Sequence, residues 1–221
     1  MPRIARIIAV DYPHHVVQRG NNRQPIYFDG SDRRIYLDLL KKYSTECDCR
    51  VSSYCLMNNH AHLLLTPLIA TALSKMMQKL SLTYTQHINK KYDRTGRLWE
   101  SRFYASVIER DSHLWTVCKY IERNPVRAEI ADSPECYEWS SARTHIAGTG
   151  KSPLITPIWY NEKERKNYIA FLNLPEADEE KRRIRSALYT GRPTGTEKFI
   201  RQIAEELGIE FSLRPKGRPK K

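Results

Sequence analysis

Residues 50–66 read RVSSYCLMNNHAHLLLT, and this stretch decides the fold. Residues 50–57 have a strand-like composition, and residues 60–66 continue with an apolar run of strand length. Asn58 and Asn59 between them are residues that tight turns prefer. The stretch therefore predicts a β-hairpin, and the other elements of the fold are arranged around it.

The segments on both sides of this hairpin alternate between strand and helix patterns. Before it, residues 14–18 form a short β-rich run that ends in a turn at 19–23, and residues 32–46 place apolar side chains at helical spacing. After it, residues 70–91 predict a long helix and residues 99–109 another strand. This order matches the βαββαβ pattern of ferredoxin-like sheets. We expect an α+β fold with a mainly antiparallel sheet and both helices on one face.

A further helix is predicted directly after the last strand. It begins near Asp111 and Ser112 and runs to about Arg123. Pro125 ends it, because the residue before a proline is pushed out of the α region. The position of this helix in the chain lets its side chains meet the central hairpin.

The remainder of the chain has weaker patterns. Residues 162–172 and 176–189 are compatible with helices, and Thr196 is suited to cap a last helix that runs to Leu207. Residues 214–221 contain too little apolar surface to fold alone.

Positive charge is concentrated towards the C-terminal end. The 221 residues include 37 Lys and Arg against 25 Asp and Glu, a net charge of +12. About two thirds of that excess lies in residues 181–221. A polyanion is the expected partner, with nucleic acid the first candidate. A basic surface without such a partner is the alternative.

The five cysteines are odd in number and lack the two-residue spacing of zinc or redox sites. No apolar run approaches the roughly 20 residues needed to span a bilayer, and no signal peptide is recognisable at the N-terminus. We expect a reduced, cytoplasmic location, with the thiols serving as packing residues.

His60 and His62 form a His-x-His pair on the second strand of the hairpin. Residues i and i+2 of a strand project from the same face, so the two imidazoles form a two-point ligand for a divalent cation. Two partly exposed histidines without a metal are the alternative. The pair alone does not decide between these interpretations.

Tyr120 and Asn124 are four residues apart, which places them one turn apart on one face of a helix. Asn124 offers a carbonyl oxygen, a hard ligand suited to Mg²⁺ or Mn²⁺. Tyr120 offers a phenol. Packing is the alternative role for this tyrosine, because the sequence has 13 of them.

Taken together and in this order, the motifs resemble those of the single-tyrosine HUH transposases. The His-x-His motif at 60–62 is followed by Tyr-Ile-x-x-Asn-Pro-Val at 120–126. The resemblance extends to Gln-Arg-Gly-Asn at 18–21, to Gly-Arg-Leu-Trp-Glu-Ser-Arg-Phe at 96–103 and to Trp-Ser-Ser at 139–141. Within that superfamily the sequence looks most like the REP-associated tyrosine transposases, which act on palindromic repeats in bacterial chromosomes.

The resemblance implies roles for four residues. His60 and His62 would bind the metal, Mg²⁺ or Mn²⁺, with Asn124 as the third ligand, a place that Gln fills in several relatives. Tyr120 would be the catalytic nucleophile. The implied activity is that of a metal-dependent, sequence-selective single-stranded DNA endonuclease and strand transferase. Its substrate would be hairpin or palindromic repeat DNA, and its intermediate a 5′-phosphotyrosine.

The resemblance spans roughly residues 10–145, and together with the patterns of the later residues it leads us to expect three parts of the chain. Residues 1–145 would form the catalytic domain, residues 146–190 a helical extension packing on or near it, and residues 191–221 a basic C-terminal DNA-binding tail. The expected location is the bacterial cytoplasm, in association with the nucleoid. A homodimer and a monomer are both compatible with the sequence.

DNA contacts are expected from the turn at 19–23, from the surroundings of the catalytic elements and from the tail. Trp99, Phe103 and Tyr104 are candidates to stack on unpaired bases, with core packing as the alternative. The end of the tail resembles an AT-hook core, which enters the minor groove. The alternative to DNA contact is simple solvation for the arginines and a purely structural role for the turn. The predicted DNA-contacting residues are Arg19, Asn21, Asn22, Arg23, Arg97, Arg102, Arg127, Lys216, Arg218 and Lys220.

Two other functions are compatible with a ferredoxin-like sheet: a DNA-binding protein without catalytic activity, and an RNA-binding protein. A protein that only binds needs neither Tyr120 nor the two histidines. RNA-binding sheets of this type present aromatic residues on their central strands, where this sequence has His60 and His62. Both features favour the enzyme.

Overall fold

The computed structural model describes residues 6–148 and 152–209 of the chain. Its strands are β1 (His14–Arg19), β2 (Cys49–Met57), β3 (His60–Pro67) and β4 (Tyr104–Val107). Its helices are α1 (Gly30–Glu46), α2 (Ala72–Lys91), α3 (Arg110–Glu122), α4 (Asn124–Arg127), α5 (Ala142–Ala147), α6 (Glu162–Asn173), α7 (Asp178–Thr190) and α8 (Glu197–Leu207). Short 3-10 turns cover Asn21–Arg23 and Pro134–Cys136.

The four strands form one antiparallel sheet in the order β2-β3-β1-β4. The predicted hairpin is the β2–β3 pair, with Asn58 and Asn59 between the strands. The strand order and the βαββαβ succession confirm the predicted α+β, ferredoxin-like architecture. β1 and β3 are therefore the two central strands.

Helices α1 and α2 pack on one face of the sheet. Tyr36 of α1 and Met76 of α2 are buried in one cluster with Leu63 of β3. Because side chains alternate along a strand, His62 and Leu64 project from the opposite face. The sheet therefore separates the layer of α1 and α2 from the layer in which the histidines lie.

The later helices cover that opposite face. Leu64 of β3 is buried in one cluster with Ile121 of α3, Tyr168 of α6 and Ile184 of α7. The two helices expected between residues 162 and 189 are thus present and pack directly on the core. The boundaries of the three predicted parts of the chain stay a prediction.

β4 is shorter than the sequence predicted. A strand was expected over residues 99–109, whereas β4 begins at Tyr104 and ends at Val107. Trp99 forms a single bridge to Gly20 and packs on Tyr84 of α2, with the ring centroids 6.0 Å apart. Because Trp99 is held against the helical layer, regular pairing with β1 starts only at Tyr104.

The last described helix also packs on the sheet. The Thr196 hydroxyl accepts a hydrogen bond from the backbone N–H of Phe199 at 3.3 Å, which is the expected cap of α8. Phe199 and Ile203 are buried against Val107 of β4. The basic residues of the predicted AT-hook lie outside the described residues: Lys216, Arg218 and Lys220.

The cysteines are unpaired, as their spacing predicted. Cys47, Cys49, Cys55 and Cys118 are buried, and Cys136 is exposed. Four of the five therefore serve as small packing residues. Within the described ranges no helix combines the length and the apolar character that crossing a membrane requires.

Candidate active site

His60 and His62 lie at the beginning of β3, on the face of the sheet that α3 covers. Their ring centroids are 4.9 Å apart. In the register with β1, Arg19 lies opposite His60 and Val17 opposite His62. His62 is buried, while His60 is partly exposed. The accessible end of the histidine pair is therefore the end near the β2–β3 turn.

A third histidine, which the sequence analysis did not select, joins this pair. His15 of β1 is completely buried, and its Nε2 lies 2.9 Å from Nδ1 of His62. The two rings stack, with centroids 5.2 Å apart. His15 has the same strand parity as Val17 and Arg19, so it shares their face. Only the pairing register of β1 with β3, a long-range property, shows that it meets His62.

Burial keeps these imidazoles neutral. Loss of solvation lowers the pKa of His15 to about 3 and that of His60 to about 4, and the charges of Arg127 and Arg19, respectively, add to the effect. Burial likewise lowers the pKa of His62 well below its ordinary value. A neutral imidazole keeps a nitrogen lone pair, the form in which histidine binds a metal.

The hydrogen bonds of both histidines use Nδ1. His60 Nδ1 lies 2.6 Å from Oδ1 of Asn59, and since an amide oxygen only accepts, Nδ1 carries the proton and Nε2 the lone pair. His62 Nδ1 can donate in the same way to His15, which leaves its own Nε2 lone pair open. His60 and His62 thus fit a metal that they would hold through Nε2. Asn59 orients the ring of His60, and His15 orients the ring of His62.

Tyr120 of α3 lies against this cluster. Its ring centroid is 5.7 Å from that of His15 and 6.0 Å from that of His62, and both contacts are edge-to-face. The Arg127 guanidinium stacks over the tyrosine ring at 4.1 Å. The fold therefore brings a phenol and the His-x-His pair together, although about 60 residues separate them in the sequence.

Asn124 begins the short helix α4, immediately after α3 has ended. Its Nδ2 donates to the backbone oxygens of Tyr120 and Ile121 at 3.1 and 3.0 Å. These bonds satisfy carbonyl groups that the end of α3 leaves without a helical partner. Oδ1 takes no part in them, and its service as the third metal ligand stays a prediction.

A second group of potential ligands lies on the far side of α3. Cys118, Glu122 and His145 are completely buried, and their side chains each offer one ligand atom within 4.8 Å of the others. By residue type this set is compatible with a divalent metal. The Glu122 Oε1 atom is, however, only 2.7 Å from His145 Nδ1, a hydrogen-bond distance.

The hydrogen bonds of Glu122 explain this cluster without a metal. Ser141 Oγ donates to the same carboxyl oxygen as His145, and Tyr168 Oη donates to the other at 2.8 Å. Glu122 therefore links α3 to α5 and α6 inside the core. Because Tyr120 lies two residues away on the same helix, the network fixes the position of the tyrosine relative to the sheet.

Replacing Glu122 by Ala is expected to lower the free energy of unfolding by about 3 kcal/mol or more. The substitution leaves Ser141, Tyr168 and His145 buried without their shared partner, and unpaired buried groups of this kind are costly. Urea unfolding followed by circular dichroism measures the loss. Glu138→Ala, which removes an exposed carboxyl group from a neighbouring segment, is the control. Equal stability of the two variants would contradict the anchoring role of Glu122.

Two of the arginines predicted to contact DNA are engaged within the protein. Arg19 Nε lies 2.6 Å from Oε2 of Glu100. Arg127 Nη1 lies 2.6 Å from Oε2 of Glu176, and its Nη2 donates to the Tyr120 backbone oxygen at 2.7 Å. Through these contacts Arg127 holds the backbone of α3 at Tyr120 in position. Contact of either arginine with DNA stays a prediction.

The predicted turn at residues 19–23 lies beside the accessible end of the histidine pair. The Gly20 N–H donates to the Asn59 backbone oxygen at 2.8 Å, and Asn59 Nδ2 donates to the Arg23 oxygen at 2.9 Å. A Cβ at Gly20 would come within 2.3 Å of the Gln24 backbone oxygen, so only glycine fits there. Asn21 is partly exposed, and the other predicted contacts of this region are exposed: Asn22, Arg23, Arg97 and Arg102.

The aromatic residues proposed for base stacking are mostly committed to packing. Phe103 is buried, and Trp99 is partly buried with its indole N–H donating to the Ser81 backbone oxygen at 3.2 Å. Tyr104 makes an edge contact with Tyr189 of α7, with centroids 5.2 Å apart. Core packing therefore describes Trp99 and Phe103, whereas base stacking by the partly exposed Tyr104 stays a prediction.

Comparison with known proteins places the chain in a family. A family model described as "Transposase IS200 like" matches residues 9–124, just over half of the sequence. The chain belongs to the IS200-like transposase family. The matched segment includes β1, the histidine strand and Tyr120, and it ends at Asn124. It thereby confirms the resemblance that the motifs indicated. No curated protein matches the chain.

A solved structure shows the same fold. The IS200-like chain is 14% identical to a REP-associated tyrosine transposase solved with a REP hairpin, with a TM-score of 0.58 over 73% of this chain and 93% of the other. It is 17% identical to a candidate transposase from Deinococcus radiodurans R1, with a TM-score of 0.38 over 55% of this chain and 97% of the other. The first of these likenesses supports the fold of the IS200-like catalytic core.

Proposed function

We propose that this IS200-like transposase is a metal-dependent, sequence-selective single-stranded DNA endonuclease and strand transferase, with Tyr120 as its nucleophile. One observation carries the proposal: the Tyr120 ring lies within 6.0 Å of the His62 ring, on the face of the sheet that also holds His60. This proximity of a phenol and two imidazoles supports the proposed roles of a nucleophile and metal ligands.

The proposed reaction exchanges one ester for another. The Tyr120 oxygen, having lost its proton to water, attacks a DNA phosphorus and forms a P–O bond. The bond between phosphorus and the 3′ oxygen breaks, and that oxygen takes a proton from water to give a free 3′-OH. The 5′-phosphate is left as a phosphotyrosine. A second 3′-OH can reverse the step, so strand transfer needs no external energy source.

A divalent metal would supply Lewis-acid stabilisation of the charge that develops on the phosphate oxygens. His60 and His62 would hold it, with Asn124 as the proposed third ligand. The residues around them orient these groups: His15 fixes the His62 ring, and Arg127 holds the tyrosine ring and its backbone.

We propose hairpin or palindromic repeat DNA as the substrate. The relative with a TM-score of 0.58 was solved bound to a REP hairpin, and the present chain has a net charge of +12. Exposed Arg23, Arg97 and Arg102 lie in segments next to the histidine strand and β4, where they would bind the phosphates of such DNA.

The test is direct detection of the covalent intermediate. The protein is incubated with a labelled single-stranded hairpin oligonucleotide and Mn²⁺, denatured, and separated by electrophoresis. We expect a labelled band at the mass of the protein plus the 3′ part of the oligonucleotide. Mass spectrometry of the digested band should locate the DNA on the peptide that contains Tyr120. DNA binding without any adduct across a panel of hairpins would favour a non-catalytic binding protein.

A further inference from the structure

Helix α7 contributes a side chain to the candidate active site. Arg185 Nε donates a hydrogen bond to the Tyr120 hydroxyl oxygen at 3.2 Å. The arginine comes from residues 178–190, beyond the segment at 9–124 that the family model matches. No sequence pattern points to Arg185, because 65 residues separate it from the tyrosine and it lies among several other basic residues.

The position of α7 is fixed by contacts other than this hydrogen bond. Ile184, the neighbour of Arg185, is buried in the cluster that contains Tyr120 and Ile121. Leu188, one turn further along the same helix, is also buried. Arg185 itself is largely exposed. The helix is thus packed firmly, and its arginine reaches from the rim of the site to the tyrosine oxygen.

Within residues 6–148 and 152–209, the charged and titratable groups with a described contact to Tyr120 come from four elements. They are His15 of β1, His62 of β3, Arg127 of α4 and Arg185 of α7. The two histidines contact the tyrosine ring, and Arg127 is stacked on that ring and paired with Glu176. Among the described residues, Arg185 is therefore the cation that reaches the phenol oxygen by a hydrogen bond.

We propose that Arg185 is a catalytic residue that stabilises the anionic oxygen of Tyr120 for attack on phosphorus. This inference rests on the proposed function. A guanidinium carries its charge throughout the usual pH range and only donates hydrogen bonds. It cannot take the phenol proton, which passes to water, but its N–H binds a phenolate more strongly than a phenol. The same N–H then faces the phosphate of the phosphotyrosine once the P–O bond has formed.

The assignment predicts a slower covalent step when Arg185 is replaced. Arg185→Ala and Arg185→Gln should reduce the rate of adduct formation at pH 7 and saturating hairpin DNA by about 10- to 100-fold, the effect of losing a hydrogen bond to a charged group. Arg185→Lys, which keeps a charged donor, should recover part of the rate.

The matched control is Arg182→Ala on the same helix. Arg182 is exposed and pairs with Glu179, so its loss changes the charge of α7 equally without touching Tyr120. We expect its adduct rate within about twofold of wild type. Gel-shift measurements on each variant separate weaker DNA binding from a slower covalent step, and circular dichroism verifies folding.

The outcomes separate this inference from the proposed function. If the wild-type protein forms the adduct and the Arg185 variants react like Arg182→Ala, Tyr120 stays the nucleophile and the assignment of Arg185 is wrong. An adduct rate of Arg185→Gln equal to that of Arg185→Lys would also overturn it, since a purely structural role requires no positive charge at this position. If the wild-type protein forms no adduct, the proposed function and the role of Arg185 are both wrong.

Discussion

Tyr120→Phe is expected to abolish the covalent protein–DNA adduct, a loss of at least about 10⁴-fold. The substitution removes one oxygen atom and leaves the ring in its place between His15, His62 and Arg127. Since the hydrogen bond of that oxygen runs to the largely exposed Arg185, the cost in stability should be no more than about 1.5 kcal/mol. Gel electrophoresis after denaturation, with labelled hairpin DNA and Mn²⁺, measures the adduct.

Tyr43→Phe is the control for this substitution. Tyr43 is buried on the opposite face of the sheet, where its hydroxyl contacts Thr83. It should retain the wild-type amount of adduct. Hairpin binding by Tyr120→Phe should stay within a few-fold of wild type. An adduct of normal yield in Tyr120→Phe would show that another residue is the nucleophile.

His60→Ala is expected to reduce DNA cleavage by about 10³-fold or more while hairpin binding is largely retained. The loss follows from removing one of the three proposed metal ligands, and a metal contributes several kcal/mol to stabilising the charge on the reacting phosphate. His60 is the better choice than His62, because it is partly exposed and its removal disturbs the core less. Isothermal titration with Mn²⁺ alone should show weakened metal binding, independently of activity.

His87→Ala provides the matched histidine control. His87 lies on α2, on the opposite side of the sheet, near Asp32. Its replacement should leave Mn²⁺ binding and cleavage within about twofold of wild type. Parallel loss of cleavage and hairpin binding in His60→Ala, with unchanged Mn²⁺ binding, would show that His60 is structural.

The fold was predictable because its signals are local. The hairpin at 50–66 and the helix now observed as Ala72–Lys91 follow from periodicity over a few residues. β4 was predicted too long because Trp99 and its neighbours have a strand-like composition, whereas Trp99 packs on Tyr84 of the helical layer. A contact between distant segments overrode the local preference there.

The candidate site was predictable only in part, for a related reason. His60, His62 and Tyr120 could be selected because their spacing matches known motifs. His15 and Arg185 carry no such spacing and come close to the site only through strand register and helix packing. Glu122 was hidden for the same reason, since a single Glu on an amphipathic helix gives no sign that three distant donors converge on it.

The anchoring of α3 through Glu122 also has a consequence for the proposed transfer of DNA strands. A movement of α3 away from the sheet would break the hydrogen bonds of the buried Glu122 carboxyl group. Ser141, Tyr168 and His145 would then lose their shared partner, which is costly for buried polar groups. We therefore expect Tyr120 to act together with the histidines of its own polypeptide. In the proposed reaction the phosphotyrosine then stays in place, and a new 3′ end of the DNA has to move to it. The conformational change of strand transfer is therefore expected in the DNA hairpin and not in the protein.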